Sequence, residues 1–547
     1  MPGEDTAPDD ALLAQRRAAF PAWEPRRIVH DDGDVIAVDK PAGVPSQAAT
    51  ERPDDVPARL RAFLEGRGEE ATLGIHQRLD QETSGLLLYA RRKAMNPPLA
   101  RAFEGRQVEK GYVAAVVGWR GGSRTLRDRL APARGGGTRV LGPKERARNA
   151  REAVTHVELR ARRGTRALLA LRIETGRTHQ IRAQLAHAGA PVVGDAAYGG
   201  EAAPRLMLHA ERLRLAHPAG GHTLALEVPP PPLFDTWLAG DGRESLDDAL
   251  ARALGRRHGL AHAAAEAEPT TCFRAVDFGD GLGAVRVDVF DRWAVLHDYG
   301  DAPPDLATAL VTRGFAGVYL KRRPKKASDA DIATLAPPEP VAGVPAPAPL
   351  LVREDGLRFA LRLGEGLSPG LFLVQRGARR RVRAAAAGRR VLNLFAFTGP
   401  FTVAALAGGA AEATSVDVSA PALVRLRDNA ARNDRRTGDV VQEDAFAFLT
   451  RAARRGERWD LVICDPPTFA TTKKRRWTSG RGWVELARLC FAVTARGGEA
   501  LLSSNDRRLS RQAFRKFVHE GARSARRELA SLRDLAPGRD VRPAFGR

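Results

Sequence analysis

Two segments of this chain of 547 residues combine charged side chains and glycine turns at a spacing that suits chemistry. The first, His76–Ala90, reads HQRLDQETSGLLLYA and places Asp80 ahead of a Thr-Ser-Gly turn and an apolar run. The second, Thr175–Gly200, carries three basic side chains before a glycine-rich turn, namely Arg177, His179 and Arg182. An acid before Thr-Ser often only caps a turn. The full length of both segments favours a catalytic carboxylate at Asp80 instead.

A third segment, Ile463–Ala470 (ICDPPTFA), places Asp465 and two prolines directly after an apolar run. Consecutive prolines pre-set the backbone, which lowers the entropy cost of ordering it. Such a rigid, polar lip at the end of a strand can hold a planar base edge-on toward a methyl donor. The simpler interpretation, a proline turn that ends a strand, fits the surrounding pattern less well.

The elements that must position these residues follow two patterns. After Arg27, short alternating strands separated by turns predict one mixed, mainly antiparallel α+β domain over 26–235. Within 350–547, strands and helices alternate, which predicts a doubly wound, Rossmann-like α/β sheet. Its strands are expected at 391–394, 415–418, 460–464 and 499–503.

Three further segments flank or connect these two domains. Residues 1–25 are polar and predict a tail with little fixed structure. Residues 236–270 are alanine-rich and helical in pattern, and we interpret them as a linker. Residues 271–349 predict a small β-containing module that ends in a proline-rich spacer, because extended polyproline geometry resists bending.

A doubly wound sheet can bind S-adenosylmethionine at the carboxyl ends of its strands, through a turn and nearby acids. The turn after the first strand, NLFAFTGPF, supplies three candidate contacts: Asn393, Phe395 and Gly399. Asp417 follows the second strand and would hold the ribose hydroxyls, although an ordinary turn acid is the alternative. Asp444 lies near the end of the third strand and would meet the adenine. Asp465 completes the predicted cofactor site.

Net charge, cysteine spacing and the length of the apolar runs limit the classes of protein to which this chain can belong. The formal net charge of +22 favours a polyanionic partner, because basic side chains that neutralise phosphates release counterions. A genome that prefers arginine would produce the same charge. The three cysteines are far apart, so neither a disulfide framework nor a metal site is expected. No run reaches about 18 apolar residues and the first residues lack an apolar signal core, so we expect a cytoplasmic enzyme without a membrane span.

The first two segments resemble the RluA-type pseudouridine synthases, which isomerise uridine inside RNA. RLDQETSG, with Arg78 and Asp80, occupies the place of the family's acid motif, and its K-x-Y tyrosine and THQIR arginine are Tyr112 and Arg182. The resemblance covers about 26–218 and implies a cofactor-free reaction. It implies that Asp80 attacks the ribose or the base, or removes a sugar proton. Tyr112 would stack on the base and handle a proton, and Arg182 would keep Asp80 ionised.

The target base must leave its stack to reach Asp80, so we expect a positively charged cleft around this acid. Three side chains are the expected RNA contacts in it: Arg78, Arg177 and His179. A basic run with an aromatic residue, KKRRW, follows Asp465 and suits single-stranded RNA. Its four basic residues are Lys473, Lys474, Arg475 and Arg476. A solvated charged face is the alternative for this run.

The C-terminal segments resemble class I methyltransferases of large-subunit ribosomal RNA, of the RlmI and RlmK types. The resemblance covers about 271–520 and rests on five motifs: GEGLSPGLFLVQR, NLFAFTG, SVDVS, DPPTFA and SSN. It implies S-adenosylmethionine as the cofactor and ribosomal RNA as the partner. Relatives often read GQKTGFFLDQR where this chain reads GEGLSPGLFLVQR. The missing lysine, and Val374 in place of an acid, are departures near the expected cofactor site.

The target atom is a separate question. The DPPTF motif favours methylation of guanine N7, whereas relatives that methylate cytosine C5 share most of the other motifs. Methylation at C5 commonly needs a cysteine nucleophile, and neither Cys464 nor Cys490 lies in a place that suits an exposed, activated thiol. The sequence thus predicts a bifunctional RNA-modifying enzyme with guanine N7 favoured and cytosine C5 left open.

Two other classes of protein stay open. One is an RNA-binding ribosome-assembly factor in which only the first half catalyses, an interpretation that the departures around Val374 support. The other is a methyltransferase that acts on a protein or a small molecule, which the basic runs disfavour. The sequence does not indicate an oligomeric state.

Overall fold

Three large β-sheets follow one another along the chain. The computed structural model describes residues 10–48, 54–133, 136–262, 269–324, 332–467, 469–472, 475–478, 480, 482–506 and 508–535. Within these ranges, the first sheet has eleven strands, the second five and the third five, with two separate two-stranded hairpins. The fold class predicted from the sequence is confirmed for both large domains.

The N-terminal sheet is mixed but mainly antiparallel. Its eleven strands are β1 (Ile28–Asp31), β2 (Val35–Lys40), β3 (Gly74–Ile75), β4 (Ser84–Ala90), β5 (Glu109–Val117), β6 (Arg124–Pro132), β7 (Thr138–Val140), β8 (Arg151–Arg163), β9 (Arg166–Ile173), β10 (Leu208–Ala216) and β11 (Thr223–Glu227). The main path runs β1-β2-β4-β10-β5-β9-β8-β6-β7. The contact between β4 and β10 is parallel, so the strand after the Asp80 loop lies inside the sheet, between β2 and β10.

Seven helices accompany this sheet in sequence: α1 (Asp10–Ala19), α2 (Val56–Glu65), α3 (Asn96–Glu104), α4 (Gln180–His187), α5 (Leu233–Ala239), α6 (Leu246–Gly255) and α7 (His258–His262). Helix α2 begins at a capping acid, since the Asp55 carboxylate accepts from the backbone N–H of Ala58. Helix α4 packs on the sheet through Ile181 and Leu185, which are buried with Val157 and Leu171.

Strand β4 is buried along its whole length, as the apolar run after Asp80 predicts. Gly85 near its start has φ of 109°, and a Cβ there would lie 2.2 Å from the carbonyl oxygen of Ala210. Only glycine fits this close approach of two backbones. The turn after Asp80 therefore depends on both the conformation and the size of Gly85.

We expect Gly85→Ala to lower the free energy of unfolding by about 2–4 kcal/mol, because backbone strain and a clash add together. Gly33→Ala is the matched control, since Gly33 also has a positive φ, 83°, but a Cβ added there would meet nothing within 4 Å. That control should cost only the conformational strain, about 1–2 kcal/mol. Urea unfolding of both variants measures the difference, and equal losses would mean that the contact with Ala210 relaxes freely.

The second sheet forms a small module. Its strands are β12 (Cys272–Val276), β13 (Val285–Phe290), β14 (Trp293–Asp298), β15 (Gly317–Arg322) and β16 (Ala342–Gly343), with α8 (Leu306–Thr312) between β14 and β15 and α9 (Ile332–Leu335) before β16. Strands β14 and β15 are parallel, and the other pairs are antiparallel. This agrees with the short strands and glycine turns expected for 271–349.

The ends of this module differ from the tail and linker expected from the sequence. Phe20, just after α1, is fully buried against Phe273 and Phe315 of the module. Arg16 on α1 donates to the backbone carbonyls of Thr271 and Asp291, at 3.0 and 2.6 Å. Phe20 and the buried Arg16 thus anchor this N-terminal segment to a surface that is distant in sequence.

Helices α6 and α7 also belong to this module rather than to a free linker. Leu250 and Leu254 of α6 and Ala261 of α7 are buried in the same apolar core as Phe273. Part of the proline-rich segment also lies along the sheet of this module. Its residue Val344 accepts from Trp293 Nε1 at 3.0 Å, and Ala346 N donates to the Tyr319 hydroxyl at 2.9 Å.

The C-terminal sheet is parallel throughout and follows the order β21-β20-β19-β22-β25. Its strands are β19 (Arg390–Leu394), β20 (Glu412–Asp417), β21 (Val440–Gln442), β22 (Trp459–Cys464) and β25 (Thr494–Leu502). The two hairpins are β17 (Leu350–Glu354) with β18 (Leu357–Leu361), and β23 (Phe469–Thr472) with β24 (Arg475–Thr478). The helices are α10 (Arg376–Ala385), α11 (Pro400–Ala407), α12 (Ala420–Ala431), α13 (Ala445–Arg454), α14 (Gly482–Val493) and α15 (Arg511–Ser524). The four strands predicted for this domain are all present.

Among the helices of the described residues, none has both the length and the apolar character that a membrane crossing requires.

Candidate active sites

Asp80 lies in the loop between β3 and β4, and its partner comes from α4. Arg182 donates from Nη1 to Asp80 Oδ2 at 3.1 Å. The same guanidinium donates from Nε and Nη2 to the two carboxylate oxygens of Asp195, at 2.7 and 2.9 Å. A two-point pair of this kind fixes the plane of the guanidinium. Asp195, which is 2% exposed, therefore sets the position from which Arg182 meets Asp80.

Arg182 stays protonated and keeps its positive charge. Burial acts to lower the pKa of its guanidinium, but hydrogen bonds to Asp195 and Asp80, together with their charges, outweigh burial and raise that pKa. Its guanidinium carbon also lies 5.1 Å from the centre of the Tyr198 ring. The structure thus brings together the two residues that the sequence places 102 positions apart.

His179 precedes α4 with a left-handed backbone, φ 53°, which is strained for a residue other than glycine. Its Nδ1 lies 3.0 Å from the Tyr198 hydroxyl, and its Nε2 lies 3.8 Å from Asp80 Oδ2. Burial lowers the pKa of His179, which favours the neutral form of the ring. His179 thus presents a hydrogen-bonding ring beside the candidate catalytic carboxylate.

Tyr112 lies on β5, where it pairs with Ala210 of β10 and Leu171 of β9. Burial and the charge of Asp80 raise the pKa of its phenol, which therefore stays protonated. Lys110, two residues earlier, lies 5.1 Å from the centre of the Phe103 ring, and burial lowers its pKa. Tyr112 is thus close enough to Asp80 to feel its charge, and its role in the reaction stays a prediction.

The residues expected to contact RNA lie in different settings. Arg78 is exposed two positions before Asp80, and half-buried Arg177 donates from Nε to the carbonyl of Glu152 at 3.2 Å. Lys473 and Lys474 lie outside the described residues. Of Arg475 and Arg476 only the backbone is described, and it forms β24. An RNA contact by any of these residues stays a prediction.

Three residues of the first site were not predicted as site residues from the sequence. Asp195 anchors Arg182, and the Tyr198 hydroxyl donates to the carbonyl of Thr138 at 2.8 Å. Lys40 is fully buried and donates to the carbonyls of Pro41, Val44 and Gln81, at 3.0, 2.8 and 2.8 Å. Burial lowers the pKa of Lys40 to about 7. The segments KPAG and GDAAYG signal turns, but one sequence does not show which loops they fix.

The second candidate site lies at the carboxyl edge of the parallel sheet. The turn after β19 contains two strained residues, Phe395 and Phe397, with φ of 56° and 50°, and Gly399 with φ of 79°. Asp417 holds this turn, because its Oδ2 accepts from Phe397 N at 2.9 Å and its Oδ1 accepts from Ser419 N at 2.8 Å. A turn fixed in this way leaves backbone groups near the edge where a ligand of a doubly wound sheet binds.

The side chains of Asn393 and Asp444 have structural partners. Asn393 is 2% exposed and donates to Thr402 Oγ1 at 2.9 Å, so its amide contacts α11 within the core. Asp444 caps α13, since its Oδ1 accepts from Phe446 N and Ala447 N, both at 3.1 Å. Both residues shape the edge, and a direct contact with the cofactor stays a prediction for each.

We expect Asp444→Ala to lower the free energy of unfolding by about 1 kcal/mol, because the N-cap hydrogen bonds are lost. Asp444→Asn retains a capping oxygen and should stay within a few tenths of a kcal/mol of the parent chain. Thermal and urea unfolding of the two variants measure this difference. If both variants lose stability equally, the carboxylate charge rather than the cap is what α13 needs.

Asp465 follows β22, which lies between β19 and β25 in this sheet. Asn505 Nδ2 donates to Asp465 Oδ1 at 3.3 Å, and Gln375 Nε2 donates to Ser503 Oγ at 2.7 Å next to it. Burial raises the pKa of Asp465, and hydrogen bonds from Ser503, Gln375 and Asn505 only partly offset that effect. The edge therefore presents a carboxylate together with amide and hydroxyl groups.

Apolar surface accompanies these polar groups. Phe372 is 49% exposed and its ring lies 5.7 Å from that of Phe397, and Val418, after Asp417, is 55% exposed. A planar, partly apolar ligand with hydroxyl and amino groups fits this donor set.

All three cysteines are buried, as expected for Cys464 and Cys490, and burial raises the pKa of the Cys464 thiol. Across the described residues, no group of three or more histidine, cysteine or acidic side chains could hold a metal ion.

Comparisons with known proteins give two family matches on this chain. The model of the RNA pseudouridylate synthase family matches residues 34–187, and that of the S-adenosylmethionine-dependent methyltransferase family matches residues 337–536. Human RNA Pseudouridylate Synthase Domain Containing 4 has a solved structure that is 23% identical, with a TM-score of 0.34, over 42% of this chain and 96% of that one.

Curated relatives match the C-terminal half. YwbD of Bacillus subtilis (strain 168), provisionally named a ribosomal RNA large subunit methyltransferase, is 33% identical over 267 residues, 46% of this chain and 65% of YwbD. The chain thus spans slightly less than two thirds of that relative. Ribosomal RNA large subunit methyltransferase I of Erwinia tasmaniensis (strain DSM 17950) is 31% identical over 270 residues, 48% of this chain and 67% of that enzyme.

Both resemblances drawn from the sequence motifs are confirmed by these matches, and S-adenosylmethionine is the cofactor of the C-terminal domain. The chain belongs to the S-adenosylmethionine-dependent methyltransferase family of ribosomal RNA large subunit methyltransferase I, and an RNA pseudouridylate synthase domain precedes that methyltransferase domain.

Proposed function

We propose that this chain isomerises uridine to pseudouridine with its N-terminal half and methylates a base of large-subunit ribosomal RNA with its C-terminal half. The observation that carries the first activity is the placement of Asp80 beside Arg182, His179 and Tyr112. For the second activity, it is Asp465 among Gln375, Ser503 and Asn505 at the carboxyl edge of the sheet. RNA is the proposed partner, and the cytoplasm is the proposed compartment.

The residues of the first site divide the work of the isomerisation. Asp80 is the carboxylate that reacts with the ribose or the base, or removes a sugar proton, and Arg182 orients it from 3.1 Å. The phenol of Tyr112 stays protonated, so it can stack on an extruded base and donate a proton. His179 offers a neutral ring to the same nucleotide. Exposed Arg78 and half-buried Arg177 would neutralise the adjacent phosphates.

At the second site the cofactor, when bound, supplies an electrophilic methyl group. Asp417 holds the turn that would approach it, Phe395 and Gly399 lie in that turn, and Val418 offers apolar surface nearby. Asp465 would accept hydrogen bonds from the N–H groups of the target base. Guanine N7 is the favoured target, because nitrogen needs no covalent activation and the only thiols near the sheet, among the described residues, are buried.

Mapping of modified bases tests both halves at once. Large-subunit ribosomal RNA from cells with the gene intact and from cells with the gene deleted is compared for pseudouridine, 7-methylguanine and 5-methylcytosine. Loss of one pseudouridine and one methyl mark on deletion supports the proposal and names both targets. If the marks are lost from transfer RNA instead, the two proposed reactions stand and the proposed ribosomal RNA substrate is wrong. Loss of the pseudouridine alone would favour an assembly factor with one catalytic half.

A further inference from the structure

An arginine of the small module, Arg256, contacts the Asp80 loop of the first domain. Glu82 lies two positions after Asp80, and its Oε2 accepts from Arg256 Nη2 at 2.5 Å. Arg256 immediately follows helix α6, and its Nη1 donates to Asp280 Oδ1 of the module at 3.2 Å. The Arg256 side chain is 5% exposed and that of Asp280 is fully buried. One guanidinium thus bridges the Asp80 loop and the start of the second half of the chain.

The module end of this bridge is rigid. Asp280 accepts from Arg257 Nη1 at 3.0 Å on Oδ1 and from the backbone N–H of Asp277 at 2.9 Å on Oδ2. Arg252, one turn earlier on α6, donates to the carbonyl of Asp280 at 2.7 Å. Leu250 and Leu254 hold α6 in the core of the module. Asp280 is therefore a fixed anchor that does not depend on Arg256.

The loop end of the bridge leads directly to Asp80. The Arg256 side chain crosses Gly43, where a Cβ would lie 2.2 Å from Arg256 Nε and where φ is 91°. Gly43 N donates to the carbonyl of Gln81 at 2.8 Å, and Gln81 Nε2 donates back to the carbonyl of Gly43 at 3.0 Å. Arg256 thus contacts both segments that hold the residue next to Asp80.

We propose that Arg256 is a positioning residue for Asp80, so that the small module completes the pseudouridine synthase site by clamping residues 81–82. The inference rests on the proposed function of the N-terminal half. A displacement of about 1 Å in a reacting group can lower a rate by about 100-fold. Lys40 and Gly43 hold the Gln81 backbone, whereas Arg256 holds the Glu82 side chain, so loss of the guanidinium frees that side of the loop.

The test uses the full chain with four changes: Arg256→Met, Arg256→Lys, Glu82→Gln and the pair Glu82→Gln with Arg256→Met. Arg313→Met is the matched control, because Arg313 of the module also contacts the start of α6, where it bonds to Asp247 rather than to the Asp80 loop. Pseudouridine formation is followed at saturating and at limiting RNA, so that kcat and KM separate. Methylation by the same sample and the melting temperature report on the rest of the fold.

We expect Arg256→Met and Glu82→Gln each to lower kcat for pseudouridine formation by about 10- to 100-fold, with KM and methylation little changed. The double variant should be no slower than the slower single variant, since Glu82→Gln removes the charge of one partner and Arg256→Met the charge of the other partner of the same ion pair. Arg256→Lys should recover part of the rate, and Arg313→Met should match the parent chain. Because Glu82 lies on a partly exposed loop, Glu82→Gln keeps the test decisive if Arg256→Met folds poorly.

Unchanged kcat in Glu82→Gln and Arg256→Met, with an active parent chain, overturns the inference alone. Additive losses in the double variant, or parallel losses of pseudouridine formation and methylation, would also overturn it, because they indicate separate or global effects. A parent chain that forms no pseudouridine overturns the proposed function and the inference together.

Discussion

Asp80→Asn is expected to lower pseudouridine formation by at least about 1,000-fold while the chain still folds and methylates RNA. Asparagine has nearly the volume of aspartate and can still accept from Arg182 Nη1, so the contact of 3.1 Å need not be lost. It can neither act as a nucleophile nor take up a proton from the sugar. The loss therefore isolates the chemistry of the carboxylate from its role in packing.

The measurement is single-turnover conversion of uridine in a ribosomal RNA fragment that contains the mapped target. Asp235→Asn is the matched control, because Asp235 is an exposed acid on α5 and should leave the rate unchanged. Methylation by the same preparation shows that the second domain is intact. If Asp80→Asn retains more than about a tenth of the rate, Asp80 is a turn residue, as its Thr-Ser neighbours first allow.

The positions of the two candidate catalytic acids can be predicted from the sequence, because each acid lies within a few residues of the strand and turn that position it. The run Leu86–Leu88 predicts a buried strand, and the acid ahead of it must lie at that strand's start. In the same way, an apolar strand followed by Asp465 and two prolines fixes an acid at the edge of a parallel sheet. Strand, turn and acid are neighbours in sequence, so one chain is sufficient to predict them.

What the sequence does not predict are contacts between distant segments. Asp195 meets Arg182 only after α4 packs on the sheet, and Phe20 contacts Phe273 and Phe315, which lie 253 and 295 residues away in the small module. The composition of residues 1–25 predicts a tail, because the surface that buries Phe20 is formed by residues far away in the sequence. The bridge from Glu82 through Arg256 to Asp280 is invisible for the same reason.

Asp465→Asn is expected to lower methylation by about 100-fold without loss of stability. The proposed role of Asp465 is to accept hydrogen bonds from the N–H groups of the target base. Asparagine replaces one accepting oxygen with a donor, and a lost hydrogen bond to a charged acceptor costs about 1.5–3 kcal/mol. Asp460→Asn is the matched control, since Asp460 lies at the other end of β22, where its Oδ2 accepts from Arg390 N at 2.9 Å.

The pH dependence of stability separates this role from a structural one. Burial raises the pKa of Asp465 in the folded chain, so the folded state binds this proton more tightly than the unfolded state. Ionisation at pH 7 therefore reduces stability, and that cost disappears as the pH falls through the pKa of Asp465. Asparagine does not ionise, so Asp465→Asn should equal or exceed the parent chain in free energy of unfolding at pH 7, and the advantage should shrink toward pH 4. A variant that is less stable at pH 7 would show that Asp465 holds the strand end through its hydrogen bonds and that its loss of methylation is indirect.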